Sequence, residues 1–220
     1  MARKNSINRL LDIMARLRAP DGCPWDREQD HQSLRFHAVE EVYELIDAIE
    51  ARDDDEMVEE LGDLLLQVVF HSQLGRERKA FDFELIAERI SDKLIRRHPH
   101  VFGDAKVKDV DGVWTQWEQI KRAEKKGTKH ERPSILDGIP RHLPALLRAE
   151  KLVKKARKGG LLPKKEAGPR PNQAKIGKQL LALVREAQSA GLSCENLLRA
   201  EVKKFERELR RQEKSQAAKP

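Results

Sequence analysis

Two pairs of carboxylates constrain this chain more than anything else in it: Glu41 and Glu44, then Glu60 and Asp63. Within each pair the residues are three apart, so on a helix they share one face. Apolar residues flank both pairs: Val42, Leu45, Ile46 and Ile49 by the first, Leu61, Leu64, Leu65 and Val68 by the second. The polar turn Arg52–Asp55 between them is short. Two such helices would pack antiparallel and gather four carboxylates near a buried seam. Like charges there repel one another and resist desolvation, and a bound cation is the simplest remedy. One such pair alone is common on the solvated face of a charged helix. The second pair, set among apolar neighbours and around Gly62, argues for a site. A glycine inside a helix costs about 1 kcal/mol, tolerable where another helix or a ligand must come close.

The ligand type narrows the metal. Carboxylates offer hard oxygen only, which suits Mg²⁺ or Mn²⁺. A di-iron bundle would need Glu-x-x-His, and no histidine stands at the third position here. Mg²⁺ held by carboxylates usually meets phosphate oxygens on its open side, so a phosphate-bearing substrate is expected. Cations for it stand at the end of the next helix (Lys93, Arg96, Arg97), and Lys121 lies four residues after Trp117. Trp117 or Trp25 could stack on a base. Equally, Arg96 and Arg97 could only complement a helix C-terminus. His98 and His100 flank Pro99 without a third ligand at suitable spacing, which favours a loop-shaping or phosphate-adjacent role over metal binding. Cys23 has no identifiable activating base, so it is not read as a nucleophile.

The periodicity predicts an all-α chain with no strand. Ile7, Leu10, Leu11, Met14 and Leu17 mark a helix over 6–18. Ala19–Pro24 breaks it, and Cys23-Pro24-Trp25-Asp26 reads as a loop. A helix follows over 33–52. Asp53 and Glu56 form a capping-box pattern for a helix over 55–75 that Gly75 helps to end. Asp82 can cap a helix over 83–97 with Leu85, Ile86, Ile90 and Leu94 inside. Pro99 then interrupts. The helix over 110–126 carries Val113, Trp114, Trp117 and Ile120. Residues 128–142 are a connector, 144–158 a basic helix, and 161–173 a proline-rich linker. Helices over 174–189 and 194–213 precede a disordered tail.

Charge divides the chain. Residues 1–140 hold 23 Lys+Arg against 29 Asp+Glu, and residues 141–220 hold 21 against 8, so an acidic part precedes a basic one. Two such parts should do different jobs. With only Cys23 and Cys194, no disulfide framework is implied and a reducing, cytoplasmic setting fits. No secretory signal and no membrane-length apolar run is visible.

Glu40-Glu41-x-x-Glu44 followed by Glu60-Leu61-Gly62-Asp63 resembles the EExxE…ExxD signature of the MazG nucleoside triphosphate pyrophosphohydrolases. The segments RLLDIMARLR, GCPWDREQ, SDKLIRRHPHVFGD, WEQIK and SILDGIPRHLPALLRAEKL resemble the amino-terminal MazG domain in the same order. The resemblance implies a MazG-type four-helix bundle that works as a homodimer. It implies Mg²⁺-dependent hydrolysis (Mn²⁺ is possible) of nucleoside triphosphates to monophosphate and pyrophosphate. By motif position, Glu41, Glu44, Glu60 and Asp63 hold the metal. Lys93 and Arg97 match phosphate-contacting positions, and Trp117 with Lys121 matches a W-x-x-x-K at the nucleotide. A carboxylate orients or deprotonates the attacking water, with Glu41 and Glu44 as candidates and the base unassigned.

On this reading residues 1–130 form the hydrolase domain, 131–160 a connector and basic helix, and 161–220 a degenerate second MazG-like domain. Lys175-Ile176-Gly177-Lys178 stands where E-x-G-D is expected, so lysines replace both metal-binding carboxylates. Lys204-Phe205-Glu206-Arg207 resembles the phosphate-contacting helix, with Glu208 where a second arginine is expected. Such a lysine-rich segment could attract the acidic domain, hold a bundle without metal, or bind a polyanion. Nucleic-acid binding is thus the rival to the hydrolase reading, although Phe205 is the segment's one aromatic, which disfavours base stacking.

Overall fold

The computed structural model describes residues 5–129, 131–163 and 171–217, except for the side chains of residues 115 and 122. These form α-helices joined by turns, with no strand among the described residues. In chain order they are α1 (Ser6–Leu17), α2 (Pro24–Glu28), a 3-10 turn at Ser33–Arg35, α3 (His37–Ala51), α4 (Asp54–Glu77), α5 (Phe83–Arg97), α6 (Pro99–Phe102), α7 (Val110–Ala123), α8 (Ala145–Lys158), α9 (Gln173–Ser189) and α10 (Cys194–Ala217). The chain divides into two compact units, Met1–Val113 and Trp114–Pro220.

In the first unit α4 is the central element, with α1, α3 and α5 all packed on it. Its carboxy-terminal half builds the core. Val69, Phe70 and Leu74 are buried with Met14 and Leu34, and Ile7, Leu10, Leu11, Leu17, Leu66 and Phe83 close around them. Each such side chain contributes about 1.5–3 kcal/mol by leaving water. Arg18 ties α1, α2 and α4 together. Its guanidinium meets the Glu77 carboxylate through two bonds of 2.7 Å and donates to the carbonyls of Asp26 and Gln29. It also lies over the Phe70 ring.

The other half of α4 pairs with α3 as a hairpin. Arg52 closes α3 in the left-handed conformation, with φ 58°. The Asp53 carboxylate then caps α4 by accepting from the amides of Asp55 and Glu56 at 3.1 and 3.2 Å. Only this half of the predicted capping box forms, because the Asp53 amide donates to the Ala48 carbonyl instead. Ala48 is the buried contact of α3. Each helix of the hairpin leaves an apolar stripe in solvent: Val39, Val42, Ile46 and Ile49 on α3, and Val58, Leu61, Leu65 and Val68 on α4.

Several local expectations are corrected. Pro24 does not sit in a loop. It opens α2 at a first-turn position, where its fixed φ suits a helix and its missing amide costs nothing. Gly75 does not end α4, which runs on to Glu77. A Cβ there would lie 2.5 Å from the Phe81 ring, so the glycine serves the close return of the following chain. Gly62 has open space beside it, so nothing in this chain explains it by close approach. The 33–52 helix is broken into a 3-10 turn and α3. On α5, Leu85 and Ile86 are half-buried but Ile90 and Leu94 face solvent. Trp114 is also exposed, edge-on to the half-buried Trp117.

The second unit has its own core, where α8 packs on α10. Leu136, Leu152, Ala156, Leu161, Val202 and Leu209 are buried together. Leu161 therefore belongs to the core and not to a linker, while residues 164–170 of the expected linker lie outside the described residues. Buried charge reinforces this packing. Arg148 donates to Glu206 at 2.5 Å, and Arg210 bridges Glu206 and Asp137 at 2.8 Å each. Burial alone would push the Glu206 carboxyl up, but hydrogen bonds from Arg148 and Arg210 together hold it below its ordinary range. Helix α9 leaves Ile176, Leu180, Leu181, Leu183 and Val184 exposed. α10 runs beyond its expected end at 213, and the last residues of the expected tail lie outside the described ones. Among the described residues no helix is long and apolar enough to cross a membrane.

Candidate metal centre

The hairpin of α3 and α4 brings carboxylates together as follows. Glu41, Glu60 and Asp63 each place an oxygen within 4.8 Å of the other two. All three are half-buried. Oε2 of Glu60 is buried with no hydrogen-bond partner. Burial, then the charges of Asp63 and Glu44, pushes the Glu41 carboxyl above its ordinary value. Glu60 is pushed up in the same way, by burial first and then by Glu44, Asp63 and Glu41. Glu44 is exposed and stands outside the close trio, although its charge acts on both Glu41 and Glu60. It lines an open groove with Asp47, Asp53, Glu56 and Glu60.

A divalent cation fits this donor set. It would offset the mutual repulsion, accept the lone pairs of the orphaned Glu60 oxygen, and find oxygen ligands only. Mono-anionic carboxylates so close together otherwise have only protonation as relief.

Gln67 is a participant that the sequence reading missed. It is 8% exposed, and its Nε2 donates to Oε1 of Glu41 at 3.4 Å. Position explains it: Glu60, Asp63 and Gln67 follow one another at helical spacing along a single face of α4. That spacing was the available signal.

The expected substrate-side residues lie on two later helices. On α5, Lys93 is half-buried and Arg97 is buried. Trp117 and Lys121 lie on α7 in the second unit, where the Lys121 ammonium is 3.3 Å from Glu118. Lys121 lines a cavity there of about 440 Å³ with Lys125, Lys126, Arg132 and Lys155. His98 and His100 pack ring to ring at 5.6 Å beside Pro99, and neither is one of the residues that gather in the trio. Cys23 and Cys194 are both free thiols.

Residues 29–102 match the model of the MazG nucleotide pyrophosphohydrolase domain. A protein of Thermotoga maritima named nucleoside triphosphate pyrophosphohydrolase/pyrophosphatase MazG is 40% identical over 213 residues, covering 89% of this chain and 81% of that protein. The nucleoside triphosphate pyrophosphohydrolase of Escherichia coli (strain K12) is 51% identical over 152 residues, covering 69% of this chain and 57% of that protein. The uncharacterized protein YabN of Bacillus subtilis (strain 168) is also 51% identical, over 64% of this chain but 28% of its own length. The chain thus spans between about a quarter and four-fifths of the curated relatives it matches.

Proposed function

This chain belongs to the MazG nucleotide pyrophosphohydrolase family, and from that premise we propose that it hydrolyses nucleoside triphosphates, ribo- or deoxyribo-, to monophosphate and pyrophosphate with Mg²⁺. Mn²⁺ would serve the same ligands. One observation carries the reading: three carboxylates of α3 and α4 meet within 4.8 Å, and one of their oxygens is buried without a partner. A mere solvated acidic face would leave that oxygen to water.

In this reading Glu41, Glu60 and Asp63 would hold the ion, and Glu44, whose charge already acts on Glu41 and Glu60, would be the fourth acidic residue of the site. When bound, the ion supplies charge neutralisation for the triphosphate and makes the α-phosphorus a better electrophile. Of the two candidate bases, Glu44 is the more accessible, and it takes the proton of a water attacking that phosphorus. The P–O bond to the bridging oxygen breaks, and pyrophosphate departs. Lys93 and Arg97 balance the charge growing on the leaving phosphates. Trp117 and Lys121 contact the nucleotide. Glu40 has no assigned role.

The protein works as a homodimer on this reading, because the apolar stripes of α3 and α4 need a second hairpin to complete a four-helix bundle. A cytoplasmic setting is supported by two free thiols and no disulfide. Residues 161–220 act as a degenerate second MazG-like domain. Lys175 and Lys178 lie exposed on α9, where the family's motif would have carboxylates, and ion pairs join α8, α10 and Asp137 in the same unit. Those pairs, and the pair that Arg199 makes with Glu195, draw Arg148, Arg199 and Arg210 away from any polyanion, which weakens the nucleic-acid alternative.

The test is a panel of nucleoside triphosphates assayed for pyrophosphate with and without Mg²⁺. Metal-dependent release that disappears in Glu60→Gln and Asp63→Asn is expected. Release of orthophosphate, or turnover indifferent to metal and to both substitutions, would overturn the reading.

A further inference from the structure

Gln67 combines features that a surface glutamine would not. It is 92% removed from solvent, on the stripe of α4 that carries Glu60 and Asp63. Its Nε2 reaches across to α3 and donates to Oε1 of Glu41 at 3.4 Å. Its own Oε1 is buried and accepts no hydrogen bond. Burying an amide with one end unsatisfied costs of the order of 1–3 kcal/mol. As a packing residue, glutamine is therefore a poor choice. A leucine or methionine at the same place would fill the volume without that cost. The remaining account is the one contact the side chain makes.

That contact falls on a carboxylate which must be held in place. Glu41 comes from a different helix than Glu60 and Asp63, so its carboxylate is the part of the trio that helix geometry alone does not fix. Three carboxylates left to themselves swing apart, because each repels the other two. A neutral donor on Glu41 opposes that swing without adding charge. A lysine there would compete for the site as a cation, and an acid would add to the repulsion. The 3.4 Å length is at the loose end for such a bond, as expected before the trio is drawn together.

We propose that Gln67 is a positioning residue for the metal centre: it holds the Glu41 carboxylate in register with Glu60 and Asp63, so that the three can grip a divalent ion. The inference rests on the reading of that trio as a metal site. Gln67 touches neither ion nor substrate, and it acts through Glu41.

The experiment measures Mn²⁺ binding to the full chain without nucleotide, by electron paramagnetic resonance, beside thermal melting without metal. In Gln67→Met the side chain keeps its length and loses its donor. Mn²⁺ affinity should fall by about tenfold, the scale on which partners of metal ligands act. The metal-free melting temperature should hold or rise, since an unsatisfied amide has gone. A residue of merely structural importance would do the reverse, lowering the melting temperature and leaving affinity unchanged. Unchanged Mn²⁺ affinity in Gln67→Met therefore overturns the inference. If that variant does not fold, Gln67→Asn, which keeps the amide but withdraws it by one carbon, reads the same affinity and must show the same fall. Wild-type protein that binds no Mn²⁺ would instead sink the metal-site reading itself, a result distinct from wild type and variant binding equally well.

Discussion

His31 and His71 face each other through their Nδ1 atoms at 2.8 Å, with the two rings stacked 5.0 Å apart. A contact that short needs one donor and one acceptor, so only one of the two nitrogens carries a proton. Phe81 also stacks on His31, with ring centroids 5.9 Å apart. Burial, and then the neighbouring His31, lowers the pKa of His71 from its ordinary value of 6.5. The sign follows from linkage. Between the lowered value and 6.5 the unfolded chain binds more protons than the folded one, so stability falls as pH drops through this window. Melting temperature should decline on acidification from pH 7 towards pH 5, and His71→Gln should flatten that part of the curve. A variant whose melting curve tracks wild type across the window would show that the pair is electrostatically inert.

The carboxylate trio should act in the opposite sense. Glu41 and Glu60 have raised pKa values, so without metal they oppose folding increasingly as pH rises above their ordinary 4.5. Glu60→Gln removes one of the mutually repelling charges. It should raise the metal-free melting temperature at pH 7 and leave it nearly unchanged at pH 4. Added Mg²⁺ or Mn²⁺ should raise the melting temperature of wild type, as any ligand of the folded state does, but not that of the variant. Calorimetric scans with and without metal separate these effects. Equal stabilisation of both proteins by metal would place its binding elsewhere.

Arg18 offers a test of the first unit's core. Its side chain is 8% exposed, and it serves the Glu77 carboxylate and two backbone carbonyls at once. Arg18→Met leaves those carbonyls unpaired and a half-buried carboxylate without its cation. The loss should be about 3 kcal/mol, read as a lower urea midpoint. Arg18→Lys should recover only part, because an ammonium cannot reproduce the two-pronged contact. The Arg18 hydrogen bond holds the Glu77 carboxyl below 4.5, so the gap between wild type and variant should narrow as pH falls below that value.

The sequence exposed the hairpin because its information is local. Three-residue spacings, a short turn and Asp53 as cap sufficed to bring Glu41, Glu60 and Asp63 to one seam. It left Gln67 unread, since its helical spacing from Glu60 and Asp63 places it on their face of α4 but says nothing of its partner on α3. It misread Gly75, because whether a glycine makes room for a neighbour depends on a chain segment that spacing does not identify. Phe81 is that neighbour for Gly75, and Gly62 has none here. It also set Val42, Ile46, Ile49, Leu61, Leu65 and Val68 around the carboxylates, whereas these residues stand in solvent. Amphipathic periodicity tells which face is apolar but not which molecule covers it.

That last discrepancy leads to a prediction about assembly. Val39, Val42, Ile46 and Ile49 form one stripe, and Val58, Leu61, Leu65 and Val68 another, each at helical spacing. Eight exposed apolar side chains on one hairpin are hard to reconcile with a monomer, since each gains about 1.5–3 kcal/mol on full burial. A second copy would cover both stripes while leaving Glu41, Glu60 and Asp63, which lie between the paired helices, to the ion. Light scattering should give the wild-type chain twice its 25.3 kDa mass. Ile46→Arg or Leu65→Arg puts a charge into the proposed seam and should yield monomers, with pyrophosphate release falling alongside. A wild-type monomer at micromolar concentration, or arginine variants that still pair, would leave these stripes without the occupant proposed for them.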